Sequence, residues 1–272
     1  MNRATRMRAR RPVRLPALRW DPRLLAVLVV VVLAIGLGWA QATRPAAVET
    51  VAGGATSVPI EGQTLVCPQA GGVPIGGAAH IAYADADPDP VAAANSSVTA
   101  APLGPDGIAS TIAVQAGHAW NVDGPTTLGP VRVDMTGPVA STSSAVQVIQ
   151  QTIGGTSQAS NVPCEGPTTD AWFAGFASGV GDHATLLLSN VDTVAATVDI
   201  GIYGDSAPPN ADADHDLVVA PQAQVAVRLD TLAPGFANAV AHVTATSGRI
   251  VPAIRYDTEN GALPLGVEWI PR

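Results

Sequence analysis

Short runs in which apolar and polar residues alternate, punctuated by Gly, Pro, Asn and Asp, limit most strongly how this chain can fold. In Ala196–Tyr203 (ATVDIGIY), Val198, Ile200 and Ile202 fall on one face of an extended strand, and Thr197, Asp199 and Gly201 on the other. Ala184–Asn190, Leu217–Ala220, Val225–Asp230, Val240–Ala245, Ile250–Tyr256 and Gly266–Ile270 continue the pattern, with turns at Pro221-Gln222, Ala233-Pro234-Gly235 and Ser247-Gly248. No convincing amphipathic helix interrupts them. Seven short strands over about 100 residues predict an antiparallel β-sandwich.

The first half is less regular, with candidate strands at 81–84, 97–101, 108–114, 131–135 and 146–151. A weak internal repeat links the halves. Val131–Asp134 leads to Val146–Ile149 much as Val240–Val243 leads to Ile250–Ala253, and each half opens near a cysteine, Cys67 or Cys164. The expected fold is therefore all-β: two tandem antiparallel, Ig-like β-sandwich domains, at 65–160 and 161–272.

Charge divides the rest of the chain. Its 14 basic residues are all arginine, and eight of them precede residue 24, opposed only by Asp21. Residues 24–43 then carry no charge, a span of roughly 30 Å as a helix, which matches a bilayer core. Trp20 and Trp39 flank it where interfacial aromatics sit. The expected organisation is a basic cytoplasmic tail (1–23), one transmembrane signal anchor (24–43), a stalk linker (44–64) and an extracytoplasmic remainder, in a single-pass protein of the cell membrane. The competing reading is a cleaved signal peptide, with Ala40-Gln41-Ala42 as the processing site.

Past residue 43, six arginines face 21 acids, a field that repels nucleic acid. Two cysteines exclude an all-cysteine metal site, which needs about four thiolates. In an exported chain they read as one disulfide, Cys67–Cys164, closing a loop worth about 4–5 kcal/mol in the chain-entropy picture. Neither belongs to a C-x-x-C, so a redox role is not expected.

The stretch Cys164-Glu165-Gly166-Pro167-Thr168-Thr169-Asp170-Ala171-Trp172-Phe173-Ala174-Gly175 resembles the C-P-x-P-x-T-x-W-W-F segment of a family of actinobacterial, membrane-anchored, exported proteins of unknown function. The resemblance continues through LLLSNVDTVAATVDIGIYG and VVAPQAQVAVRLDTLAPG to VTATSGRIVPAIRYD. Ala171 departs from it, standing where a second aromatic is expected. The resemblance implies a β-rich envelope protein of a high-GC Gram-positive bacterium, and it brings no catalytic residues.

Site signatures are sparse. The five histidines are isolated, with no H-E-x-x-H. Ser178 lies near Gly175 and Gly179 without forming a G-x-S-x-G elbow. Two acidic clusters, Asp85–Asp89 and Asp212-Ala213-Asp214-His215-Asp216, place carboxylates at alternate positions. Asp212, Asp214 and Asp216 are the better calcium candidates, against the plainer reading of a solvated acidic turn. Trp172 and Phe173 are expected to fill the core of the second domain, leaving Trp120, among polar neighbours, as the candidate exposed ring for a ligand. The expected function is non-catalytic: a membrane-anchored cell-envelope protein whose β-rich region binds or scaffolds an envelope protein or glycan. The alternatives are a glycan-binding accessory of envelope polysaccharide assembly and, last, an envelope hydrolase. No cofactor beyond calcium is implied.

Overall fold

A computed structural model describes residues 60–272 except 69–77, 87–88, 115–118, 123–128, 154–155, 205–209 and 262. The segments read as tail and anchor, and nearly all of the one read as linker, lie outside the described residues. Val58–Arg272 forms a compact unit of its own.

Among the described residues, sixteen strands build four antiparallel sheets of four strands each. Sheet I is ordered β1 (Gly62–Cys67), β6 (Val131–Thr136), β3 (Ser97–Pro102), β4 (Ser110–Ile112). Sheet II is ordered β5 (Ala119–Val122), β2 (Ala78–Asp85), β7 (Ser143–Ile153), β8 (Thr156–Pro163). In sheet III the order is β12 (Asn210–Val219), β11 (Ala196–Gly204), β14 (Ala239–Ser247), β9 (Asp170–Phe176). In sheet IV it is β13 (Ala223–Arg228), β10 (Asp182–Asn190), β15 (Val251–Asn260), β16 (Leu263–Ile270). Among the described residues three single-turn helices connect strands: α1 (Pro90–Ala94), α2 (Val139–Thr142) and α3 (Leu229–Leu232).

The expectation of two tandem Ig-like sandwiches is corrected by this arrangement. The four sheets stand as the blades of a four-bladed, propeller-like ring. Sheets I and II share a core of Leu65, Ile81, Tyr83, Val98, Val133 and Met135. Sheets III and IV share a larger one around Phe173, Phe176, Leu186, Leu188, Ile200 and Ile254. Strands β8 and β16 join II to IV, where Gln158 Nε2 donates to the Leu265 carbonyl at 3.0 Å. A polar groove of about 370 Å³ lies between β1 and β6 of sheet I and Asp192 and Arg249, in the connections that flank sheets III and IV. Alternation predicts each strand's inward face, but it says nothing about which strand becomes its neighbour. Here β1 pairs with β6 and β9 with β14, each reaching past its sequence neighbours.

Strand order repeats between the halves. Adding eight to each strand number turns β4-β3-β6-β1 into β12-β11-β14-β9, and β5-β2-β7-β8 into β13-β10-β15-β16. The two motif pairs seen in the sequence fall at equivalent places, β6 with β7 and β14 with β15.

The single-pass membrane anchor is not supported. Among the described residues no helix is long and apolar enough to cross a membrane, and residues 24–43 themselves lie outside that set. Strand β1 begins at Gly62, inside the segment read as linker.

Candidate functional site

The outer face of sheet III is a grid set by strand register. Asp170, Thr244 and Asp199 form one row across β9, β14 and β11; Trp172, His242 and Gly201 form the next; Ala174, Val240 and Tyr203 form the third. The alternation follows from the residues beneath. Ala171, Phe173, Ala241, Val243, Ile200 and Ile202 are buried, so their neighbours on each strand must point outward. At Gly175, φ is +99°, a conformation L side chains rarely adopt, and the irregularity it makes in β9 turns Phe176 back into the core.

Across these rows the rings associate. Trp172 and His242 stack with centroids 3.8 Å apart and planes 9° from parallel, and Tyr203 stacks on Trp172 at 5.6 Å and 29°. Tyr203 lies over Gly201, whose missing side chain makes room for the ring: a Cβ there would come within 3.3 Å of it. His242 is held by Asp170, its Nε2 2.6 Å from Oδ2, and by the Thr244 hydroxyl at 3.2 Å. Trp172 nevertheless stays 49% exposed and Tyr203 38%. Half of the indole thus remains open to solvent even with two rings stacked on it. Cross-strand ring pairs stabilise a sheet by about 0.2–1 kcal/mol without any ligand, so the exposure rather than the pairing marks this as a site.

The sequence misplaced this feature. Phe173 fills the core as expected, but Trp172 does not, because adjacent residues on a strand face opposite ways. The alternation Asp170-Ala171-Trp172-Phe173 carried that signal. Tyr203, His242 and Asp170 had no signal at all, since only register brings them to Trp172. Trp120 lies on β5 opposite Tyr83, and its side chain is outside the described set.

The calcium candidates lie on strand β12, not in a turn. Asp214 is half-buried and Asp216 exposed, with φ +56° at Asp216, where the backbone N–H donates to Asp199 Oδ1 at 2.9 Å. Among the described residues no group of three or more His, Cys, Asp or Glu could hold a metal ion; the Asp212 side chain is outside that set. Ser178 has a structural role. It is buried, its hydroxyl donates to the Ala233 carbonyl at 2.6 Å and accepts from the Phe236 amide at 3.0 Å.

A second polar cluster lies on sheet IV. His183 Nε2 is 2.9 Å from Glu259 Oε1, its Nδ1 3.2 Å from Asp230 Oδ2, and Arg228 binds Asp230 through both Nε and Nη2. The hydrogen bond to Glu259, then that to Asp230, raises the His183 imidazole above its ordinary 6.5, against burial and the Arg228 charge. Burial pushes Asp230 up, yet its bonds from Arg228 and His183 outweigh that and leave it lowered.

The cysteines are joined, Cys67 to Cys164. Comparison with known proteins returned no match among curated proteins. One family model, described as a family of unknown function (DUF5719), covers residues 113–272 and so includes the whole of sheet III.

Proposed function

The chain belongs to DUF5719, and with no activity to inherit from that family we propose that it is a non-catalytic binding protein that holds a carbohydrate on the outer face of sheet III. The observation that carries this reading is the half-exposed Trp172, backed by His242 and extended by Tyr203. A pyranose has one face of C–H groups and a rim of hydroxyls. A half-exposed indole suits the first, and Asp170, Thr244 and Asp199 in the adjoining row suit the second. The open face supports binding without chemistry, since it neither encloses a scissile bond nor excludes water. The disulfide supports a workplace in an oxidising compartment such as the cell envelope.

A second reading, docking of a protein partner, is favoured by Leu263 and Leu265. Both are more than half exposed on β16, an edge strand of sheet IV.

Titration of the full chain with oligosaccharides, followed by tryptophan fluorescence and calorimetry, tests the first reading. Binding should vanish in Trp172→Ala and weaken in Tyr203→Ala, with both variants melting near the wild type. Saccharide binding that ignores Trp172 would sink the proposal.

A further inference from the structure

The composition of sheet III deepens that reading by naming the class of sugar, and it rests on it. Strands β9, β11, β12 and β14 contain five aspartates, Asp170, Asp199, Asp212, Asp214 and Asp216, and neither arginine nor lysine. Two of these carboxylates share the outer face with the rings. Asp170 and Asp199 sit two residues before Trp172 and Gly201, so their row lies about 7 Å along the strands from the ring row. Asp170 is exposed and Asp199 partly so.

Among the described residues each meets a histidine, and neither meets an arginine. Asp170 meets the His242 ring through Oδ2. Asp199 accepts the Asp216 amide on Oδ1, and His215 Nδ1 is 3.5 Å from that same oxygen. No arginine stands on these strands to neutralise either acid.

A half-exposed aromatic pair beside carboxylates whose strands carry no arginine or lysine is complementary to a cation. The ring quadrupole attracts positive charge over its face, and the acids add Coulomb attraction from one side. The same field repels uronates and phosphorylated glycans. We infer that sheet III selects glycans bearing free amino groups, with the sugar ring on Trp172 and Tyr203 and an ammonium directed toward Asp170 and Asp199.

Exposed ion pairs are individually weak, so the preference should be modest and sensitive to salt. The test is calorimetric titration of the full chain, at low ionic strength and at a pH where the amines are charged, with three probes of equal length: a glucosamine oligomer, its N-acetylated counterpart and an oligogalacturonate. The glucosamine oligomer should bind about tenfold more tightly than the N-acetylated one, as two weak ion pairs would give, and the uronate should not bind. In the Asp170→Asn/Asp199→Asn double variant the glucosamine oligomer should lose its advantage, so that the two amino sugars converge in affinity, with the melting temperature little changed. Raised salt should close the same gap in the wild type.

Equal affinity for the charged and acetylated oligomers, or tighter binding of the uronate, overturns the inference while leaving carbohydrate binding intact. Failure of all three probes to bind overturns the carbohydrate reading itself. A basic peptide that binds through Trp172 where no sugar does would show the face to be a docking site for cationic protein segments, and would overturn both.

Discussion

Val66 and Glu165 exchange both backbone hydrogen bonds, at 2.8 and 3.0 Å, and so carry the start of one half of the chain against the start of the other. Cys67 and Cys164 are the next pair along the same antiparallel segments, facing each other on one side of that bridge, and are covalently joined across 97 positions. Replacing both by serine should lower stability by about 2–5 kcal/mol. Urea unfolding should show it, and wild type held in a reductant strong enough to open the bond should match the variant. An unchanged midpoint in both would mean that the bond adds nothing to the pairing beneath it.

Trp172 and Phe173 are neighbours with opposite fates, and their alanine variants should differ accordingly. Phe173→Ala removes a ring from the core of sheets III and IV and should cost about 3–5 kcal/mol. Trp172→Ala removes an exposed ring and should cost no more than about 1 kcal/mol. Equal costs in denaturant melts would contradict the strand alternation described for β9.

Gly204 faces the ring of Phe236. A Cβ built on Gly204 would lie 2.0 Å from a carbon of that ring, and Phe236 is itself buried. Gly204→Ala should therefore destabilise by about 1–3 kcal/mol through overpacking. Adding Phe236→Leu should recover part of the loss, because a smaller side chain yields the space. Absence of rescue in thermal melts would place the strain elsewhere.

The sheet IV cluster predicts a pH dependence. His183 has a folded value above its ordinary 6.5, so its contribution is complete below 6.5 and is lost as pH rises through the raised value. Asp230 is shifted the other way, and its contribution is present above its ordinary 3.8 and lost as pH falls through the lowered value. The melting temperature of His183→Gln should thus fall short of wild type most clearly in mildly acidic solution, between those limits. The two proteins should converge at alkaline pH. A gap that widens toward alkaline pH would reverse the assignment.

Much of the β content was legible because alternation is a local property. Val198, Ile200 and Ile202 were assigned to one face of a strand from their spacing, and all three are buried. The Cys67–Cys164 pair was legible because two cysteines allow only one intramolecular partner each. The acidic run at 212–216 was misread as a turn, because β-propensity disfavours aspartate while the pairing of β12 with β11 outweighs it. Residue type alone sends Trp172 inward, because a large aromatic is ordinarily core, whereas its strand alternation sends it out.

By itself the sequence determined the β class, the disulfide pairing, the charge asymmetry of the chain and the repeat between its halves. All four depend on residue type and local spacing. Only the tertiary structure decided that the sheets form a ring and that Trp172, His242, Tyr203 and Asp170 share one face. Asp170 and His242 are 72 positions apart in the chain and 2.6 Å apart in space. Strand register joins them, and register depends on the packing of both faces of every sheet at once, which no local pattern encodes.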